Sequence, residues 1–78
     1  MLVYRFSVRN SDGSHREDTG CMSLLNDYAA LAFGNDVIRD MLRDNVDQYV
    51  GWMMDIAEGQ RAVCSVAFPF PSRSRMRA

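Results

Sequence analysis

A single histidine, two cysteines outside any CxxC pair and no lysine limit the chemistry that this 78-residue chain can support. One histidine excludes His–His metal pairs and, with two isolated cysteines, zinc sites of ordinary ligand spacing. No Gly-rich phosphate-binding loop is present. No apolar run approaches the roughly 18 to 20 residues of a membrane span, and the N-terminus lacks a signal-peptide pattern, so we expect a cytoplasmic protein.

Charge is divided unevenly between the body of the chain and its C-terminal end. Residues 1–71 hold six arginines against ten acidic residues, a balance of −4, whereas residues 72–78 hold three arginines and no acid, a balance of +3, which together give the net charge of −1. The length allows one domain with a marginal core. We predict a single domain over residues 1–70 and a disordered, Arg-rich tail over residues 71–78.

The N-terminal part of the sequence predicts a β-hairpin. Residues 3–9 alternate between apolar and polar side chains, which is typical of a strand with one buried face. Turn-forming residues at positions 10–14 predict a reversal into a weaker second strand near residues 15–18. Gly20 predicts a break or bulge before the chain returns to its apolar side at Leu24.

One amphipathic helix is predicted over residues 27–44. Asn26 is a good N-cap, and Asp27 places negative charge at the positive end of the helix dipole. Gly34 lies within the apolar half of the helix, where the lack of a side chain allows close approach to a strand. The apolar half consists of Ala30, Leu31, Phe33, Gly34, Val37, Ile38, Met41 and Leu42.

A second hairpin is predicted over residues 49–68, with its turn at Glu58 and Gly59. Its inward residues are predicted to be Val50, Trp52, Met54, Ile56, Ala62, Cys64, Val66 and Phe68. The sequence therefore predicts an α+β fold of ββαββ order, in which a four-stranded antiparallel sheet carries one amphipathic helix on one face. We expect the most buried side chains to be those of Phe6, Val8, Ala30, Val37, Ile38, Met41, Met54, Ile56, Val66 and Phe68.

Several short motifs resemble a family of small bacterial proteins known only as a domain of unknown function, over residues 3–68. They are Tyr4-Arg5-Phe6-Ser7-Val8-Arg9, Glu17-Asp18-Thr19-Gly20, Leu24 and Asn26 before Ala29-Ala30, and Met54-Asp55-Ile56 through Gly59 to Val66-Ala67-Phe68. The sequence departs from that pattern at Leu25, where proline is common, and at Gly34, where a better helix former is usual. The resemblance implies the ββαββ fold and offers no catalytic residues.

The second hairpin holds the best candidate for an interaction surface. Tyr49, Trp52 and Met53 place large side chains on both faces of one predicted strand, and the helix can cover only one face. We therefore expect a non-catalytic interaction module that forms a homodimer or contacts another protein. The plainer alternative is that Trp52 and Met54 complete the core and Met53 is an exposed residue without a role.

The Arg-rich tail suggests a second hypothesis. Arg73, Arg75 and Arg77 could contact phosphates in a nucleic-acid-associated accessory protein. The acidic domain and the lack of basic residues interleaved with exposed aromatics favour a passive, solvated tail instead.

Enzymatic residues are not indicated. His15 is expected on a solvated strand, Cys64 is expected to fill the core, and the helical acids alternate with arginines on the wet face. We predict no enzymatic activity, no cofactor, no metal and no membrane contact.

Overall fold

The computed structural model describes residues 1–45 and 47–69, and within them the chain order is the predicted ββαββ. The elements are β1 (Leu2–Arg9), β2 (Arg16–Leu24), α1 (Asp27–Asn45), β3 (Met53–Glu58) and β4 (Arg61–Ala67). The four strands pair antiparallel in one sheet of order β2-β1-β3-β4, and α1 lies on one face. The predicted α+β fold is confirmed. The order places β1 and β3 in the centre and leaves β2 and β4 as edges.

The start of α1 follows from its capping residue. The side-chain oxygen of Asn26 accepts a hydrogen bond from the backbone N–H of Ala29 at 2.9 Å, and its carbonyl accepts one from Ala30 at 3.0 Å. The bond from Ala29 satisfies an amide group that a helix start otherwise leaves without a partner, and the bond from Ala30 is the first i to i−4 bond of the helix. The predicted start at Asp27 is confirmed, and the helix ends at Asn45, one residue beyond the prediction.

β2 is longer than predicted. The strand runs through residues 16–24, and its register with β1 shifts because Thr19 is an extra residue between the pairs of Gly20 with Phe6 and Asp18 with Ser7. Gly20 has a φ of 128°, which side-chain-bearing residues rarely adopt. The Thr19 hydroxyl donates to the Phe6 carbonyl at 2.8 Å, so the bulge at Gly20 is confirmed without ending the strand.

β3 begins at Met53, so the predicted start at residue 49 is wrong. Residues 47–51 form turns, and the backbone N–H of Trp52 donates to the carbonyl of Tyr49 at 3.1 Å. A local turn therefore uses backbone groups that an extended strand would have offered to its neighbours.

Ala62 was predicted to face the core, and this is wrong. The register between β3 and β4 pairs Ile56 with Cys64 but Ala57 with Ala62, which makes Val63 an extra residue. Because side chains alternate along a strand, one extra residue moves Ala62 to the face away from the helix, where it is exposed.

The core lies between α1 and the two central strands. Its buried side chains are those of Tyr4, Phe6, Val8, Ala30, Ile38, Met54, Ile56 and Phe68. Val37, Met41 and Val66 were also predicted to be buried but are only half-buried. The prediction omitted Tyr4, which is fully buried because its hydroxyl has a charged partner at the start of α1.

Candidate interaction surface

The structure separates the three residues of the predicted surface. The ring of Tyr49 lies 5.0 Å from that of Trp52 and 5.5 Å from that of Phe68, and Trp52 lies 5.7 Å from His15. Tyr49 and Trp52 are therefore half-buried in an aromatic cluster at the end of the core. Met53 pairs with Arg9 and Ala67 on the face that α1 does not cover. Its role as an interaction residue stays a prediction.

The second hypothesis falls on residues that the structure does not describe. Arg73, Arg75 and Arg77, and the predicted tail over residues 71–78, lie outside the described residues. Their contact with nucleic acid stays a prediction.

Neither His15 nor Cys64 has the surroundings of a catalytic group. His15 is exposed, and its Nε2 lies 3.8 Å from a carboxylate oxygen of Glu17. Burial raises the pKa of the Cys64 thiol, and the nearby charge of Asp27 raises it further. Since the thiolate is the nucleophile, these surroundings make the thiol less reactive.

Two acidic side chains on α1, those of Asp36 and Asp40, form exposed ion pairs. Arg39 lies 3.1 Å from Asp36, and Arg43 lies 2.9 Å from Asp40, each at a spacing of three residues. Within residues 1–45 and 47–69, no group of three or more His, Cys, Asp or Glu side chains is arranged to hold a metal ion. No helix in this part of the chain is both long and apolar enough to cross a bilayer.

The sheet face away from α1, called here the open face, has a carboxylate at its centre. Asp55 accepts hydrogen bonds from Arg9 Nε at 2.8 Å, Arg16 Nη1 at 3.3 Å and Ser65 Oγ at 2.6 Å. Partial burial favours protonation of Asp55, but the bonds from Arg9 and Ser65 outweigh it and lower the pKa of this carboxyl. A carboxylate with its oxygens occupied in this way links all four described strands and is a poor general base.

A second polar cluster joins the start of α1 to the β3–β4 hairpin. The Tyr4 hydroxyl donates to Asp27 at 2.7 Å, and the Arg61 guanidinium donates to both oxygens of Asp27 at 3.0 and 3.1 Å. Arg61 Nε also donates to Glu58 at 3.1 Å. The bonds from Arg61 and then Tyr4 lower the pKa of Asp27 to about 2. Burial, followed by the bond to Asp27, raises the pKa of Tyr4.

This cluster predicts a loss of stability in acid. The pKa of Asp27 is about 2 in the folded protein, below its ordinary value of 3.8. The contribution of the ionised Asp27 carboxylate to the free energy of unfolding is therefore complete above about pH 4 and is lost as the pH falls through about 2. Asp27→Asn should lower the urea midpoint at neutral pH and flatten its fall between about pH 4 and 2.

The measurement is urea unfolding of the full chain at a series of pH values. Asp36→Asn is the matched control because it removes only an exposed ion pair on the same helix. An Asp27→Asn protein with the wild-type urea midpoint and the wild-type pH dependence would contradict the proposed contribution of the cluster.

The exposed apolar side chains are concentrated at one end of the molecule. Within the described residues, the large apolar side chains left exposed are Met1, Leu2, Val3, Met22, Leu25, Tyr28, Leu31 and Val50. All except Val50 lie where β1 and α1 begin and β2 ends, since Leu2 pairs with Leu24 and the chain then enters the helix. Tyr28, with 84 % of its surface exposed, is the most prominent of them.

Two shallow grooves follow the side of α1 that faces β4. The first groove, of about 200 Å³, is lined by Asp27, Tyr28, Leu31, Val63 and Cys64. The second groove, of about 250 Å³, is lined by Asn35, Ile38, Arg39, Leu42 and Pro69. The first lies at the start of α1 and the second near its end, so one side of the helix is incompletely covered.

Sequence reasoning missed Tyr28 and Leu31 as surface residues. Leu31 was assigned to the apolar half of the helix, where it lies at the margin, and Tyr28 falls outside that half. The available signal was an aromatic residue three positions before a leucine at the margin of the apolar half of the helix.

No family model, curated protein or solved structure gives a significant match to this chain. Membership of the domain-of-unknown-function family that the sequence resembles therefore stays a prediction.

Proposed function

We propose that this chain is a small, non-catalytic interaction module that acts in the cytoplasm and self-associates as a homodimer. One observation carries the proposal. The fold leaves a group of large apolar side chains exposed at the end where α1 begins, among them Leu25 with 69 % and Tyr28 with 84 % of their surface exposed. Exposed apolar side chains gathered at one end of a small protein are typical of a contact with another macromolecule.

The polar groups support a binding role over an enzymatic one. Asp27 and Asp55 are each held by arginine and hydroxyl donors, and the Cys64 thiol lies in surroundings that raise its pKa. These groups stabilise the fold without presenting a poised acid, base or nucleophile.

The size of the core supports self-association. Among the described residues, eight apolar side chains are buried in the core. A domain of this length buries a lower fraction of its surface than a larger one does. Association that buries further apolar surface would stabilise it.

Sedimentation velocity of the full chain tests the proposal. We expect a dimer whose population rises across the micromolar range, and a melting temperature that falls on dilution. A monomer at every concentration, with a melting temperature independent of dilution, would contradict the homodimer.

A further inference from the structure

We infer that two copies of this chain associate through their β4 edges, antiparallel about a two-fold axis, to form a continuous eight-stranded sheet with both helices on one face. This inference rests on the proposed homodimer and assigns it to β4 and to Tyr28. The exposed apolar side chains on β1 and β2 lie outside this contact.

The two edges of the sheet differ in charge. β2 begins with Arg16, Glu17 and Asp18, and charged side chains hinder pairing with another strand. β4 holds one charged residue, Arg61, where β2 holds three. An edge strand presents unpaired backbone donors and acceptors, so β4 is the edge better suited to accept a further strand.

The helix beside β4 runs in the same direction as that strand. Asp27 at the start of α1 contacts Arg61 at the start of β4, and Leu42 near the end of α1 shares a groove with Pro69, just beyond β4. In an antiparallel pair of β4 strands, the start of each helix therefore lies beside the end of the partner's helix.

This arrangement makes the surface self-complementary, which identifies a second copy as the occupant. The exposed ring of Tyr28 projects from the first groove, and the two-fold axis places it against the second groove on the other copy. That groove, of about 250 Å³, has room for a phenol side chain between Leu42 and Pro69. Each copy supplies one projecting side chain and one groove, as an isologous contact requires.

The expected area predicts a weak dimer. The seven residues of β4 extend over about 23 Å, and the sheet and helix layers together are about 20 Å deep. The contact therefore buries roughly 450 Å² on each copy, below the roughly 800 Å² of a standard interface. We expect a dissociation constant in the micromolar range, where sedimentation velocity of the full chain should detect the dimer.

Two matched substitutions test the surface by sedimentation. Tyr28→Asp should weaken the dimer at least about tenfold, because a short side chain cannot replace the contacts of the ring with Leu42 and Pro69. Met22→Asp, at a less exposed apolar residue of the opposite edge strand β2, should leave it unchanged. Met53→Asp, on the open face, separates the two candidate surfaces, because it should leave a β4 dimer unchanged and weaken a dimer that uses the surface predicted at Tyr49, Trp52 and Met53. A dimer weakened by either control and not by Tyr28→Asp would overturn the inference.

A distance measurement tests the geometry with only one conservative substitution, Cys64→Ser, on β4. Cys21 is exposed on β2, so a nitroxide can be attached to it in a Cys64→Ser background. Pairing at β4 separates the two β2 strands by seven inter-strand spacings, so pulsed EPR should give about 34 Å between the labels.

Pairing at the β2 edges or stacking of the open faces would bring the labels within about 20 Å and would overturn the inference. A wild-type protein that stays monomeric refutes the homodimer itself. A wild-type dimer with a short label distance refutes only the assignment to β4.

Discussion

Phe6→Ala is expected to lower the free energy of unfolding by about 3–5 kcal/mol. Phe6 lies on the central strand β1, is 2 % exposed and has its ring centroid 5.2 Å from that of Phe33 on the helix. Truncation removes a side chain that packs the sheet against α1. It leaves a cavity between the sheet and the helix that these two layers cannot readily close. The loss is a large share of the stability available to a domain of this size.

Urea unfolding, followed by circular dichroism, measures this effect. Val3→Ala is the matched control on the same strand, because Val3 is 58 % exposed on the opposite face and should cost under about 0.5 kcal/mol. A Phe6→Ala protein that unfolds cooperatively with near-normal stability would show that the helix-facing side of β1 is not the main support of the core.

Gly34→Val is expected to cost about 3 kcal/mol through overpacking. A Cβ atom built at Gly34 would lie 2.9 Å from Ile56 Cδ1 and 3.3 Å from Met54 Sδ, both closer than ordinary contact. The substitution replaces a residue of poor helix propensity, so an effect set by propensity alone would be stabilising. The sign of the change in the free energy of unfolding therefore distinguishes an effect of packing from an effect of helix propensity.

Ala32→Val introduces the same side chain at an exposed position of α1 and should cost under about 1 kcal/mol. Thermal and urea unfolding of both variants provide the comparison. If the two variants have equal stabilities, α1 does not approach β3 as closely as the distances at Gly34 indicate.

The two polar clusters have structural roles that no local pattern indicated. Asp27 was predicted from sequence as a residue that favours the helix start, and its contacts with Tyr4 and Arg61 link that start to two strands. Asp55 was assigned only to the outward face of a strand, yet it accepts hydrogen bonds from three strands. These roles depend on residues 10 to 46 positions apart, which periodicity does not relate to each other.

The candidate surface was only partly accessible to sequence reasoning. An uncovered sheet face follows from the presence of one helix and four strands, and large side chains in the second hairpin pointed to Tyr49 and Trp52. The ring of Tyr49 contacts those of Trp52 and Phe68, and these contacts depend on the turn at residues 47–51, which the strand pattern did not predict. The position of β4 at an edge of the sheet, beside Tyr28, depends on the strand order, which the sequence pattern did not determine.

The sequence by itself determined the element order, the helix start at Asp27 and the inward faces of β1 and β3, because capping and side-chain alternation act over a few residues. Only the tertiary structure decided the strand order β2-β1-β3-β4, the bulge that turned Ala62 outward and the hydrogen bond from Tyr4 to Asp27. Each of these depends on pairing between residues far apart in the chain, where packing and hydrogen bonding outweigh local preference.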